Sequence, residues 1–294
     1  LHDALPIYRV LSLLEKLAES LSTAVDCYEG PVEVLVAGEE VDSAVSMLDE
    51  VLGCPVSHIE TDGTAPLGRH RLIEAAETEW LLFLDDDCRV DESLLVAYND
   101  AIQSVAEDVA AIYGPLIFEG RRSTAFEAYR FTPFVHPLQI AKWKNNVEWA
   151  PTANAAFSVP DVQAVGNFDV ENPVAVSGED VDVGLRLNAA GHNLVTAPEA
   201  EVYHSTESWN DLVGNIQRVY TYGLSEAWLV QRYPERTESL LCSVADGIIG
   251  GLVMIGILSS MVTLLTIPLL CLAWVLGLLL RKIKTDPTTP LVAY

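Results

Sequence analysis

Apolar and polar residues follow two kinds of spacing along the first two thirds of the chain. Short apolar runs bounded by turn residues are typical of buried strands, and apolar residues that recur every three or four positions are typical of amphipathic helices. Strand followed by helix, repeated, predicts a parallel, doubly wound α/β sheet. The predicted strands are Val32–Ala37, Val56–Glu60, Trp80–Asp85 and Val109–Ile117, and the helices between them are Val41–Leu52, Arg69–Glu77 and Glu92–Ala106.

The pattern then becomes less regular. Phe118–Pro151 contains aromatics and three prolines, as expected of a loop that shapes a substrate site. Periodicity resumes with a strand at Ala155–Val159, a helix at Glu179–Ala190, and short strands at Leu194–Ala197 and Glu201–His204. These elements complete the predicted α/β domain.

A long apolar run follows this domain. Gly247–Leu280 spans 34 residues without a charge, which exceeds the roughly 20 residues that cross a bilayer once. Either one long tilted helix, or two short helices that turn near Ser259-Ser260 or bend at Pro268, would account for this run. The sequence therefore predicts C-terminal transmembrane helices.

Charges beside the apolar run predict its orientation. Arg281, Lys282 and Lys284 follow it directly and belong on the cytoplasmic side of a membrane. If the acidic domain is also cytoplasmic, the chain crosses an even number of times, which favours a hairpin. The predicted organisation is a catalytic domain over 1–235, a membrane segment over 236–284 and a short tail over 285–294, with the domain on the cytoplasmic face of the cell membrane.

Composition excludes several classes of protein. The 42 acidic and 17 basic residues give a net charge of -25, so nucleic acid is excluded as a partner by phosphate repulsion. The five cysteines form no CxxC pair and are odd in number, which indicates neither a zinc cluster nor a disulfide framework and fits a reducing cytoplasm. The opening Leu1–Ile7 lacks the features of a secretory signal and is interpreted as a truncation or a foreign junction.

Three consecutive acids form the sharpest chemical feature. Asp85, Asp86 and Asp87 follow an apolar strand, and ligands of open parallel sheets bind at the carboxyl ends of strands. Carboxylates there can hold a divalent cation that bridges a diphosphate. The alternative is a solvated turn that caps the next helix.

Three further segments carry candidate groups. Glu179 and Asp180 occupy the first turn of a predicted helix, where they either interact with the helix dipole or serve as a general base. His204 ends a short strand and is either structural or a transition-metal ligand. Arg69 opens a helix, where it suits a diphosphate, although surface arginines are common.

Taken together, and in this order, these segments resemble the family 2 glycosyltransferases, whose catalytic domain has the GT-A fold. The resemblance covers roughly Leu11 to Tyr222. Its most specific parts are Asp85-Asp86-Asp87, then Val165–Asp169, then Gly178–Asp182 with Leu185-Arg186, then Val202-Tyr203-His204.

The resemblance implies a role for each candidate residue. Asp85 and Asp87 match the ends of the family's DxD motif, with Asp85 and the neighbouring Asp86 near the nucleotide and Asp87 as a ligand of Mn²⁺ or Mg²⁺. Asp180, with Glu179 beside it, matches the catalytic carboxylate of an inverting transfer.

Two more residues are implied to bind the metal or the donor. His204 matches the family's late histidine and is a second metal ligand, and Arg69 lies where the family contacts the donor, although Gly68 and His70 depart from the usual pattern. The family's first strand is missing or replaced here, and either Glu39 or Glu40 is expected to take the place of the acid that binds the nucleotide base.

The function implied is an inverting glycosyltransferase that moves a sugar from a UDP- or GDP-sugar to a polyprenyl-phosphate-linked or glycan acceptor, in contact with membrane lipid. Two alternatives remain: a nucleotidyltransferase of related fold and a non-catalytic nucleotide-sugar-binding membrane scaffold. The acidic excess, with many Ala and Val and few Lys, also resembles proteins of halophilic archaea, the alternative being an ordinary acidic protein.

Overall fold

A computed structural model describes residues 7–38, 42–61, 64–130, 141–174, 177–236 and 270–277. The chain divides after Trp228 into two compact units. The first unit contains the sheets and the candidate site. Its predicted α/β class is confirmed.

A five-stranded sheet forms the centre of the first unit, in the order β3-β8-β5-β9-β7. Two of its three inner strands, β5 (Val109–Tyr113) and β8 (Asn154–Ser158), are buried at every position. Such strands read as continuous apolar runs because both faces are covered. The other three strands are β3 (Trp80–Leu84), β7 (Asn146–Val147) and β9 (Asn193–Thr196).

Two smaller sheets accompany it. β4 (Cys88–Val90) pairs antiparallel with β10 (Val202–Ser205), which pairs parallel with β6 (Leu116–Glu119). β1 (Val34–Gly38) pairs parallel with β2 (Val56–Glu60) and leaves every position of both strands at least partly exposed.

The prediction of a parallel sheet is wrong for the central sheet. β9 runs parallel to β5, but β8 runs antiparallel to both β3 and β5, and β7 runs antiparallel to β9. The apolar pattern could not reveal this mixture, because a strand buried on both faces looks the same in either direction.

Eight α-helices are described around the sheets. α1 places Leu14, Leu17, Ala18, Leu21 and Ala24 on one buried stripe at helical spacing. The bounds are α1 Ile7–Asp26, α2 Asp42–Leu52, α3 Ala65–Ala75, α4 Leu94–Ser104, α5 Thr124–Tyr129, α6 Val159–Ala164, α7 Glu179–Ala189 and α8 Leu212–Arg232.

The strand predicted over Val109–Ile117 is two strands. The chain turns at Gly114-Pro115 between β5 and β6 and so passes from the central sheet to a small one. A Cβ at Gly114 would overlap the carbonyl oxygen of Ala200, so only glycine fits this close approach. This change of sheet brings β10, and with it His204, beside the turn after β3.

The predicted membrane segment lies almost entirely outside the described residues. Of Gly247–Leu280, the structure describes residues 270–277, which are helical. Among the described helices, none combines the length and the apolar character that a membrane span requires. The transmembrane hairpin and the tail over 285–294 therefore remain predictions.

Candidate active site

The three consecutive aspartates lie on a tight turn between two sheets. β3 ends at Leu84 in the central sheet, and β4 begins at Cys88 in a small one. The backbone N–H of Cys88 donates to the carbonyl oxygen of Asp85, and that of Ser205 donates to the carbonyl oxygen of Asp87. Backbone bonds thus hold the turn at both Asp85 and Asp87, and the acids directly follow a strand, as predicted.

Strand register places His204 beside these acids. β10 pairs with β4 so that His204 lies opposite Cys88, the residue after Asp87. As a result, His204 Nε2 lies 3.2 Å from Asp87 Oδ1 and 4.0 Å from Asp85 Oδ2. Asp85, Asp86, Asp87 and His204 are called the strand-end group below.

The hydrogen bond on the other side of the imidazole determines what faces Asp87. His204 Nδ1 lies 3.0 Å from the carbonyl oxygen of Ser205, which can only accept. Donation by Nδ1–H leaves a lone pair on Nε2 in the neutral imidazole. A lone pair and a carboxylate oxygen at 3.2 Å then face each other, an arrangement that a shared cation would stabilise. The donor set, one carboxylate and one imidazole, therefore fits a divalent metal.

Cys88 is the third potential ligand near this pair, since atoms of Asp87, Cys88 and His204 lie within 4.8 Å of one another. Burial raises the pKa of the Cys88 thiol, and the adjacent acids raise it further. A thiolate, rather than a thiol, binds metals. The carboxylate and the imidazole are therefore better candidate ligands than the thiol.

Electrostatics of the strand-end group favour a bound cation. Burial raises the pKa of Asp87 to about 6, with further increases from Asp85 and Asp86 that His204 partly offsets. Burial and then the charge of Asp85 also raise the pKa of Asp86. Carboxylates crowded in this way resist ionisation until positive charge is supplied.

The second acidic cluster, Glu179 and Asp180 with Arg69, is called the helix-start group. Its acids form the first turn of α7, as predicted. Gly178 precedes them with a φ of 90°, a conformation that favours glycine. The hydroxyls of Ser177 and Ser225 are hydrogen-bonded, which attaches this turn to α8.

Arg69, on α3, connects the two groups. Its guanidinium forms an ion pair with the buried Glu179, and its Nη2 lies 3.6 Å from Asp85 Oδ1. Burial raises the pKa of Asp180, and the charge of Arg69 opposes that increase. A carboxylate with a raised pKa is a better proton acceptor near neutral pH.

The structure thus brings together six predicted residues, Arg69, Asp85, Asp87, Glu179, Asp180 and His204, and places Asp86 beside them. Glu39 and Glu40 lie outside the described residues. Asp182, two positions after Asp180 on α7, is fully buried and paired with Arg186 at 2.7 Å, which fits a structural role.

Sequence reasoning missed a tyrosine at this site. Burial raises the pKa of Tyr222, on α8, and the charges of Arg218, Asp180, Asp85 and Arg69 also act on it. The hydroxyl of Tyr222 is therefore within electrostatic reach of both acidic groups. Helical periodicity after His204 is the signal that could have identified α8.

Arg218 of the same helix lies over the ring of Trp209, at 4.2 Å, and Trp209 also contacts the His204 ring. The arginine donates to Asn215 Oδ1 at 2.9 Å. Trp209 belongs to an aromatic cluster with Phe118, Phe126 and Tyr129. The rings of Phe118 and Trp209 in this cluster pack against the imidazole of His204.

Comparison with known proteins finds matches over much of this chain. The model of the Glycosyl transferase family group 2 matches residues 80–281, which include the strand-end acids, α7 and His204. The pre-mycofactocin glycosyltransferase of Mycobacterium tuberculosis is 28% identical over 245 residues, which are 74% of this chain and 48% of that protein. The chain thus spans about half the length of this relative.

Solved structures with a related arrangement have low sequence identity. The mannosyltransferase PcManGT from Pyrobaculum calidifontis, in complex with GDP-Man and Mn²⁺, has a TM-score of 0.48 and 12% identity, covering 94% of this chain and 84% of that one. S. aureus TarS residues 1–349 have a TM-score of 0.45 and 14% identity, covering 81% and 76%. The family match, which covers more than half of the chain, is decisive: this chain belongs to glycosyltransferase family group 2.

Proposed function

We propose that this protein is a metal-dependent, inverting glycosyltransferase that moves a sugar from a UDP- or GDP-sugar to a lipid-linked or glycan acceptor at the cytoplasmic face of a membrane. The observation that carries the proposal is the approach of His204 Nε2 to Asp87 Oδ1 at 3.2 Å, next to an arginine-linked pair of acids. Family membership supports the reaction class.

Asp87 and His204 would hold Mn²⁺ or Mg²⁺. When bound, such a cation neutralises the diphosphate that departs from the sugar. Asp85 lies within reach of Arg69 on the side toward α7, where it is placed to orient the donor. Electrostatic stabilisation of the leaving group is expected to be the largest catalytic contribution.

Asp180 is the proposed general base. In an inverting transfer the acceptor oxygen attacks the anomeric carbon from the side opposite the departing diphosphate, and a base removes its proton. Arg69 and Glu179 fix the first turn of α7 and so fix the position of Asp180. A polyprenyl phosphate acceptor is already ionised near neutral pH and needs the base less.

The location proposal depends on the apolar run Gly247–Leu280 and on the basic residues Arg281, Lys282 and Lys284 after it. A membrane anchor raises the concentration of the enzyme near lipid-linked acceptors. The acceptor class is therefore proposed together with the location.

Nucleoside diphosphate release from a panel of UDP- and GDP-sugars tests the function. The assay would use full-length protein in detergent and high salt, Mn²⁺ or Mg²⁺, and polyprenyl phosphate or glycan acceptors. We expect release that requires both metal and acceptor, and that Asp87→Asn lowers at least about 10³-fold because leaving-group stabilisation is lost.

The matched control is Asp100→Asn, which removes an exposed acid from α4 and should turn over like wild type. Equal activity of Asp87→Asn and wild type would refute the metal assignment. Nucleotide-sugar binding without release from any donor would favour the non-catalytic scaffold.

A further inference from the structure

The outward face of α8 is apolar. Six large apolar side chains of this helix are 38–69% exposed, which is unusual for a chain with 42 acidic residues. Exposed apolar residues are common singly, but a contiguous set indicates an interaction surface. They are Leu212, Val213, Ile216, Val219, Tyr220 and Leu224, and they are called the α8 stripe below.

Helical geometry places the α8 stripe on one side. At about 100° per residue, the six positions fall within an arc of roughly 140°. Gly223 and Ala227 lie in the same arc and are also exposed. The single acid of the helix, Glu226, falls just outside the arc, so the arc itself carries no charge.

The opposite side of α8 faces the protein and contains polar residues. Asn215 and Ser225 are buried there, where Asn215 Nδ2 donates to the carbonyl oxygen of Trp209 and Ser225 bonds to Ser177. The usual arrangement of a surface helix, polar outside and apolar inside, is therefore reversed over these turns. Such a reversal is expected where the medium outside the protein is apolar.

A second part of the chain presents the same kind of surface. Within residues 270–277, the described part of the uncharged run, Leu272, Trp274, Val275 and Leu276 are 45–57% exposed. That run is long enough to cross a bilayer and begins 15 positions after α8 ends. Hydrocarbon is one medium that would cover both surfaces.

We infer that the α8 stripe lies in the interfacial layer of a lipid bilayer, parallel to its surface, with Tyr220 at the level of the head groups. An uncharged apolar arc on a helix is the form that interfacial helices take, and tyrosine is enriched at that depth. The inference rests on the membrane location in the proposed function and adds a specific contact to it.

This contact has a consequence for the site. The inward face of α8 carries Ser225, which bonds to the turn before Glu179, and Tyr222, which is within electrostatic reach of Asp180. A helix lying on the lipid would hold the proposed base close to the head-group layer. A lipid-linked phosphate would then need little displacement from the bilayer to reach it.

Site-specific fluorescence in vesicles tests the inference. An environment-sensitive fluorescent amino acid would replace Ile216, Trp274 or, as a control on an exposed helix of the domain, Asp100. Full-length protein would be placed in vesicles of phosphatidylcholine and phosphatidylglycerol, with and without nitroxide-labelled lipid. We expect the label at 216 to lose at least about half of its emission to the nitroxide and the label at 100 to lose none.

Each other outcome has a distinct meaning. Quenching at 274 without quenching at 216 would overturn the α8 inference and leave the membrane location standing. Quenching at neither position would overturn the location as well, and the sugar-transfer assay would still test the chemistry. The third outcome concerns detergent without lipid. If the label at 216 is shielded from water there, and the shielding grows with protein concentration, the α8 stripe contacts a second copy of the chain instead.

A stripe variant keeps the test independent of folding. Val213→Gln with Ile216→Gln and Tyr220→Gln changes only exposed positions, so its melting temperature in detergent should match wild type. A label at Leu224 in this variant should be quenched less by nitroxide lipid than the same label in wild type. Unchanged quenching would count against the stripe as the contact.

Discussion

The two acidic groups of the site differ in what surrounds them. In the helix-start group, Glu179 forms an ion pair with Arg69. In the strand-end group, the described residues give Asp86 and Asp87 no arginine or lysine partner, and His204 presents Nε2 to Asp87. Arg69 therefore offsets part of the negative charge of the helix-start group, whereas Asp86 and Asp87 lack such a partner among the described residues.

This difference indicates how the site separates its roles. An ion pair between arginine and a buried acid can keep a neighbouring base in a fixed position whether or not metal is bound. Unpaired, crowded carboxylates store electrostatic repulsion that a divalent cation relieves on binding. The proposed metal ligands and the proposed base thus lie in different parts of the sequence, and variants can change them separately.

Arg69→Met tests the helix-start group and should have the largest effect on stability. Removing one partner of a buried pair leaves Glu179, 2% exposed, as an unpaired buried charge, and we expect a loss of about 3 kcal/mol in the free energy of unfolding. Chemical denaturation measures the loss. The double variant Arg69→Met with Glu179→Gln should recover most of it.

The matched control for this prediction is Arg71→Met. Arg71 pairs with Glu74 at 2.7 Å on an exposed part of the same helix, and exposed pairs contribute little. A loss at Arg69 no greater than that at Arg71 would show that the helix-start group is not held by its ion pair.

Asp180→Asn tests the base and should have a smaller effect, dependent on the acceptor. Transfer to a hydroxyl acceptor should fall about 100-fold, because general base catalysis contributes at least that much. Transfer to polyprenyl phosphate, whose oxygen is already ionised, should fall less than about tenfold. The ratio of kcat/KM values for the two acceptors measures this, and an equal loss on both would mean that Asp180 has a structural role.

Asp87→Asn, measured without metal, tests the strand-end group and should have the smallest effect. The folded protein raises the pKa of Asp87 from 3.8 to about 6, so the native state binds more protons than the unfolded state between these values. This group therefore costs stability as pH rises through that window. At pH 7 in EDTA, the variant should be more stable than wild type by about 2 to 3 kcal/mol, at about 1.4 kcal/mol per pKa unit.

The stability gain of Asp87→Asn should disappear at low pH and should become a stability loss when metal binds wild type. Below about pH 3 Asp87 is protonated in both the folded and the unfolded state, so the difference between variant and wild type should vanish. Saturating Mn²⁺ should stabilise wild type alone, because metal binding to the native state adds to its stability. A variant less stable than wild type in EDTA at pH 7 would contradict the view that burial, with the neighbouring acids, raises the pKa of Asp87.

Much of the site could be predicted before the fold was known. Asp85–Asp87 follow an apolar strand, and Glu179 and Asp180 begin a periodic helix, so local patterns placed both groups at the ends of elements. The ligand role of His204 came from family resemblance, because a histidine at the end of a short strand has no local signature. The strand break at Gly114-Pro115 was missed because the apolar run continues across it.

The helix α8 shows that helical periodicity does not predict which face of a helix is buried. Apolar residues at 212, 216, 219 and 220 recur at helical spacing and so indicate a helix. Spacing alone would direct that face inward, whereas the structure buries Asn215 and Ser225 on the opposite face. Which side of a helix is buried depends on what it packs against, and that information is not local.

The sequence by itself determined the α/β class, the acids at the strand end and helix start, the net charge and the uncharged run after the domain, because these depend on residue type and on neighbours along the chain. Only the tertiary structure decided that the central sheet is mixed, that Arg69 pairs with Glu179 across 110 positions, and that Asp87 and His204 meet. The physical reason is that strand direction and register are set by hydrogen bonds between segments far apart in sequence, which leave no periodic trace in either segment alone.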